Sequence, residues 1–343
     1  MGFGRAGKIH LSSLESINQM RVTQVVDPDI SVEDSASLKE LGIRQVKQLS
    51  EALEDPEIHA VIVSSPTDEH FQHINQALAS GRHVFTEKPL GKSAEDIQKC
   101  YELAHRQNKC LYLGFQRRYD GNFQALKQHL HEIGDIRLLK ASSRDNPPPA
   151  LEYLKISGNI FHDMLIHDFD MLIHLLGVDI PKSVFACGHA YDPQIGDIPD
   201  HDTVLVTIQY PQGLICSIDT SRSSVYGYDQ RLELFGGDGM LTVHNQRDNT
   251  LQLHHAQGTL TQPIRYSFPQ RYQDAYRSEM LHFLAGVQGG EQHNVSLQEC
   301  LLSHLLAEAA HKSIMENRPV NFQTEYGLEL NSGYFDGRST NSK

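Results

Sequence analysis

The sequence lacks any run of about 18 apolar residues, so nothing in it reads as a membrane-spanning helix. No secretory leader fits either, because a glycine-rich loop begins at residue 2. Cysteine is scarce, with five residues at 100, 110, 187, 216 and 300, an odd number without a C-x-x-C pair. That pattern argues against a disulfide framework or a zinc site and points to a reducing, cytoplasmic setting. Positive charge is in deficit: 30 lysines and arginines face 43 acids, a net charge of −13. A surface of that sign repels nucleic acid and anionic membrane, although a helix N-terminus can still bind an anionic cofactor locally. Internal repeats and low-complexity segments are missing too.

What is present is enough chain for two domains, since 343 residues exceed the size at which single cores stop growing. Over the first 115 or so residues, apolar strand runs at 21–26, 59–64, 81–85 and 109–115 alternate with helical patterns at 9–15, 35–41, 69–79 and 94–106. This alternation predicts a parallel, doubly wound sheet. Beyond residue 118 the spacing predicts helices at 123–132 and 160–176. Strands separated by short turns follow, at 183–189, 203–210, 214–220, 231–235 and 241–244. Short turns favour antiparallel pairing. Helices at 270–287 and 296–316 close the pattern. The predicted division is 1–117, 118–325 and a polar tail over 326–343.

Gly2-Phe3-Gly4-Arg5-Ala6-Gly7 matches G-x-G-x-x-G, whose glycines give a tight turn, close approach of backbone to a pyrophosphate, and close helix packing. Asp27 stands 27 − 7 = 20 residues past the last glycine, where an acid bonds a ribose 2′-hydroxyl and repels a 2′-phosphate. NAD is therefore expected rather than NADP. The motif normally follows a strand that lies centrally in the sheet, and only Met1 precedes it here. Without that strand its neighbours lose ladder partners and apolar cover. The expectation is that the natural protein begins upstream.

Lys88 ends an apolar strand and precedes Pro89, and Ser65-Pro66-Thr67 ends another strand on the same edge. C-terminal strand ends face the ligand crevice in open α/β sheets. Asp163 and His167 are four apart on a helical pattern and share a face, which Asp170 and His174 continue. A lysine can lower the pKa of a bound alcohol, a neutral imidazole can take its proton, and an acid can orient the ring or hold a hydroxyl. A surface acid–imidazole pair would read the same way. The spacing does not match H-E-x-x-H, and no metal site is expected.

Gly2 to Gly7, Ser65-Pro66-Thr67, Thr86-Glu87-Lys88-Pro89, residues 114–120 (Gly-Phe-Gln-Arg-Arg-Tyr-Asp) and residues 163–170 together resemble the Gfo/Idh/MocA oxidoreductases in order and spacing. Arg117 to Asp120, Tyr226-Gly227-Tyr228-Asp229 and residues 272–276 are similar to the inositol 2-dehydrogenase branch, from which Gln116 and Gln270 depart. The resemblance implies a Rossmann domain followed by an α/β domain with a large, mainly antiparallel open sheet that serves as an oligomer interface. It implies Lys88, Asp163 and His167 as the catalytic set. Gly2, Phe3, Gly4, Arg5, Gly7, Asp27, Ser65, Pro66, Thr67, His70, Glu87 and Lys88 would hold the cofactor. Arg117, Asn146, Tyr226 and Tyr276 would contact a polyol.

The expected function is NAD-dependent oxidation of a secondary alcohol on a cyclic polyol or sugar, by a homodimer or homotetramer. The alternatives are another sugar or dihydrodiol dehydrogenase of the same family, or a dinucleotide-sensing regulatory protein without turnover.

Overall fold

The computed structural model describes residues 1–328; most of the expected polar tail lies outside them. The chain divides into two compact units. One comprises Met1–Tyr119 with Gln273–Leu301, and the other Asp120–Tyr272 with the chain from Leu302 onward.

In the first unit, strands β1 (Gln24–Val26) and β2 (Arg44–Val46) pair in parallel. Strands β3 (Ala60–Val63), β4 (His83–Glu87) and β5 (Leu111–Gly114) form a separate parallel set. The helices between them carry their own stop and start signals. Ser31 and Ser93 accept the N3 amides of helices Val32–Glu40 and Ala94–Gln107, and acids occupy both first turns. Helix Thr67–Ala79 buries His70, Ile74, Ala77 and Leu78, a stripe at helical spacing. Helix Gln273–Val287 packs on helix Arg5–Glu15 and joins Met280 and Phe283 to a core with Leu14, Ile17, Phe85 and Tyr112. Residues 292–294 cover the free edge of β5: Leu111 N–H donates to the Gln292 carbonyl, and Leu113 exchanges two bonds with the Asn294 amide.

Met1 sits between β1 and β3 like one residue of a central strand. Its amine donates to the Ile62 carbonyl at 2.7 Å, its carbonyl accepts the Ser64 amide at 2.8 Å, and Gly2 N–H donates to the Val26 carbonyl at 2.8 Å. Those three backbone bonds join the two sheets there, Ser64 Oγ adds bonds to the Met1 and Gly2 carbonyls at 3.2 and 3.0 Å, and a cavity of about 390 Å³ bordered by Leu14, Met20, Val22, Val25, Ala60 and Ile62 adjoins them.

The second unit holds a seven-stranded sheet. Its strands are β6 (Ile136–Arg144), β7 (Ser183–His189), β8 (Thr203–Gln209), β9 (Ile215–Ser221), β10 (Asp229–Gly236), β11 (Met240–Val243) and β14 (Val320–Asn321). Their order is β11-β10-β6-β9-β8-β7-β14, and only β6 and β9 run parallel. A hairpin of β12 (Gln252–His255) and β13 (Gly258–Thr261) stands apart. Alternation is clean: Val204, Val206 and Ile208, then Cys216, Ile218 and Thr220, are buried, whereas Leu205 and Ile215 are exposed. The chain enters this unit at Asp120, which caps helix Gly121–His129, and the same carboxylate pairs with Arg271 where the chain leaves.

Candidate active site

The glycine loop is built for close approach. Gly2 has φ +86°, and a Cβ there would meet the Ser64 carbonyl oxygen at 2.5 Å. A Cβ on Gly7 would meet the Gly2 carbonyl oxygen at 2.4 Å, so helix and loop touch backbone to backbone. Gly4, by contrast, faces open space. It is the N-cap of helix Arg5–Glu15 and provides no side-chain bond, which leaves first-turn amides to bind an anion. Asp27, just past β1, accepts Phe3 N–H at 2.7 Å and Asp29 N–H at 2.9 Å. That fixes its carboxylate at the loop. An open glycine, an uncapped helix start and an anchored acid fit the pyrophosphate and ribose of a dinucleotide.

Ser65, Glu87 and Lys88 lie at the C-terminal ends of β3 and β4. Pro66 caps helix Thr67–Ala79, and Thr67 opens it. His70 is buried, with Nδ1 2.7 Å from the Pro89 carbonyl oxygen and Nε2 2.8 Å from that of Ser65. It braces two strand-end loops together, with both nitrogens on backbone carbonyls. Glu87 Oε1 lies 2.7 Å from His10 Nε2, and its carboxylate rests over Gly114, where a Cβ would come within 3.2 Å. Burial alone would raise the Glu87 pKa, but the His10 bond and the neighbouring charges, Lys88 among them, outweigh it and hold the carboxyl below its usual range. The acid before Lys88 is thus an anion.

In the second unit, Asp163 and His167 fall where a regular helix over 160–176 is expected from the sequence. The structure divides that segment: Phe161–Leu165 is a π-helical turn, and the α-helix runs over Ile166–Leu176. A π-turn is wider than an α-turn and is frequent at functional sites. Asp163 lies in the π-turn and His167 in the first turn of the α-helix, so the pair spans the junction between them. Asp163 is buried and doubly held, with Tyr153 Oη donating to Oδ1 at 2.7 Å and Arg222 Nη1 to Oδ2 at 2.9 Å. Further along, Asp168 and Asp170 are also buried, and Gln230 Nε2 reaches Asp168 Oδ1 at 3.3 Å.

The four residues expected to contact a polyol divide between the units. Arg117 is buried in the 3₁₀ turn Gln116–Tyr119 after β5. Tyr276 is buried on helix Gln273–Val287, its ring edge-on to His10 at 5.7 Å. Asn146 lies just beyond β6 and donates to the Tyr266 carbonyl at 2.9 Å. Half-exposed Tyr226 donates to Asp229 at 2.6 Å and accepts from Arg144 at 2.9 Å.

Three residues that sequence reasoning passes over hold the candidate groups in place: His10 beside Glu87 in the first unit, and Tyr153 and Arg222 around Asp163 in the second. Nothing in their spacing marks them, since Arg222 lies 59 residues from the acid it binds.

Family models match nearly the whole chain. The NAD-binding Rossmann domain of the oxidoreductase family matches residues 1–115, and the C-terminal α/β domain matches 127–322. The chain is 37% identical to the myo-inositol 2-dehydrogenase of Thermotoga maritima, over 95% of its own length and 98% of that protein's. It is 34% identical to the inositol 2-dehydrogenase of Rhizobium meliloti, over 94% and 97%. A solved structure of scyllo-inositol dehydrogenase from Lactobacillus casei, with bound NAD(H) and scyllo-inositol, superposes with a TM-score of 0.85 at 27% identity, covering 93% of this chain and 97% of that one. With the glycine cradle, the strand-end lysine and the acid-bearing helix all in the expected order, the chain belongs to the Gfo/Idh/MocA family of NAD-binding oxidoreductases.

Proposed function

We propose that the protein is an NAD-dependent dehydrogenase of a cyclic polyol of the inositol class. The observation that carries this reading is the pair of specialised parts in one chain: a dinucleotide cradle whose sheet ends in Glu87-Lys88, and a buried, fixed Asp163 four residues before His167. The inositol 2-dehydrogenases to which it is similar over nearly their full length support the substrate class.

NAD, held by the glycine loop and Asp27, would supply the acceptor for the carbinol hydride, so that the alcohol becomes a carbonyl. Lys88 stabilises the developing alkoxide of the substrate hydroxyl, and His167 takes its proton. Asp163 orients the imidazole or a neighbouring hydroxyl. Arg117, Asn146, Tyr226 and Tyr276 are assigned to the remaining hydroxyls. Asp27 favours NAD over NADP.

The open face of the large sheet exposes Phe185, Leu205, Ile215, Phe235 and Met240. That apolar content supports a homo-oligomer assembled through this face. All five cysteines are free thiols and four are buried, which supports a cytoplasmic location. Among the described residues no helix is long and apolar enough to cross a membrane.

The test is NADH formation on myo-inositol, scyllo-inositol and a panel of aldoses, with NAD and with NADP. Turnover of a cyclitol with NAD, and a loss of roughly 10²–10⁴-fold in kcat for His167→Gln, is expected. Tight NADH binding with no oxidation of any polyol or sugar would overturn the reading.

A further inference from the structure

Among the described residues the bulkiest wholly buried side chain is Arg222, at 1% exposure, immediately after β9. Its guanidinium is bonded on every nitrogen. Nη1 donates to Asp163 Oδ2 at 2.9 Å, Nη2 to Asp200 Oδ2 at 2.7 Å, and Nε to the His201 carbonyl at 3.3 Å. Its own backbone N–H donates to the Asp202 carbonyl at 2.7 Å. Asp200 turns its other oxygen to Ile160 N–H at 2.9 Å, at the entrance of the π-turn. One cation therefore ties together the acid of the turn and the acid that secures the residue just before it.

A buried ion cluster is a poor device for stability alone. Desolvating the charges costs several kcal/mol, and well-packed apolar replacements often do as well. What this cluster provides is a carboxylate with a fixed plane. Both Asp163 oxygens accept a bond, one from Arg222 and one from Tyr153.

We infer that Arg222 is a positioning residue for the dehydrogenase reaction, acting through Asp163 by clamping its carboxylate and the π-turn that carries it. The inference rests on the dehydrogenase reading given above. Lysine cannot reproduce it, because one ammonium cannot meet two carboxylates and a carbonyl in a planar fork.

A double-mutant cycle tests it, using Arg222→Met, Asp163→Asn and the pair together, with Arg222→Lys alongside. Misplacing a reacting group by about 1 Å costs on the order of 100-fold, so Arg222→Met should lose about that much in kcat while its Kd for NADH stays within about twofold. Arg222→Lys should recover part of the loss. In the Asp163→Asn background the same Arg222→Met change should cost less than about threefold, because a residue that acts through Asp163 has nothing left to act on. Wild-type kcat in Arg222→Met, or a loss that adds in full to that of Asp163→Asn, overturns the inference and leaves the dehydrogenase reading standing. If near-UV circular dichroism shows Arg222→Met unfolded, the cycle is run with Arg222→Lys, on the same criterion of additivity. A wild-type protein that oxidises no polyol overturns the dehydrogenase reading, and the role of Arg222 falls with it.

Discussion

His10 Nε2 lies 2.7 Å from Glu87 Oε1, so the helix that opens on the glycine loop is bonded to the residue just before Lys88. The ring also packs edge-on to Phe85 and Tyr276. His10→Ala removes the partner of a partly buried anion. A charge-assisted bond of this kind contributes about 2 kcal/mol, and urea denaturation should show a loss of that order. The Glu87 carboxyl is held below its ordinary value of 4.5 in the folded state, so its contribution is present above that pH and is lost as pH falls through the folded value. The stability gap between the wild type and Glu87→Gln should therefore be flat from neutral pH to about 4.5 and narrow below it. A gap that widens on acidification would contradict the assignment of Glu87 as an anion.

Asp27 gives a second prediction. Its two oxygens are anchored by the Phe3 and Asp29 amides, so the carboxylate is fixed at the loop before any ligand arrives. Asp27→Ser removes both the acceptor for a ribose hydroxyl and the charge that repels a 2′-phosphate. The ratio of kcat/KM for NAD to that for NADP should fall at least about tenfold, equivalent to roughly 1.4 kcal/mol. An unchanged ratio would place coenzyme choice elsewhere.

Much of this was legible in the sequence, and the remainder was hidden for identifiable reasons. Local signals sufficed where chemistry and backbone coincide, as in the glycines of the loop, the serine caps and the clean alternation of β7 to β9. Strand β6 escaped notice because Lys140, Ser142 and Ser143 blur its alternation; it is a strand because β9 and β10 pair with it on both sides. Strand β2 is only three residues long, and β1 sets its register. The helix over 160–176 was visible but its π-turn was not, since an apolar stripe does not reveal hydrogen-bond pitch. The Arg222 clamp and the return of Gln273–Leu301 to the first unit are products of tertiary structure, with no local pattern to announce them.

The Met1 amine yields a pH prediction of the same sense as that of Glu87, in a higher pH window. Burial pushes it from 8.0 down to about 5, against the opposing charge of Asp27. Between those values the unfolded chain binds the proton and the folded chain does not, so stability should rise with pH from about 5 to 8. N-terminal acetylation abolishes the titration. The urea midpoint of the acetylated chain should lose this part of the slope, and identical slopes with and without the acetyl group would refute the assignment.

The same place in the fold supports the last prediction. Met1 and Gly2 make the bonds of one parallel-strand residue between β1 and β3, and the cavity beside them is bordered by Met20, Val22, Ala60 and Ile62, which are only partly buried. Four β-branched residues joined ahead of Met1 would extend about 13 Å, enough to run along both open edges. Their side chains would enter the apolar surround, at roughly 1.5–3 kcal/mol for each one buried, against an ordering cost of about 1–2 kcal/mol per residue. Backbone bonds on both sides add about 0.5–1.5 kcal/mol each. The net gain should be a few kcal/mol, read as a higher thermal midpoint and a smaller Kd for NADH. A Gly-Ser extension of equal length should give neither effect, because it has no apolar side chains to bury. Equal midpoints for the two extensions would show that the gap between β1 and β3 does not accept a strand.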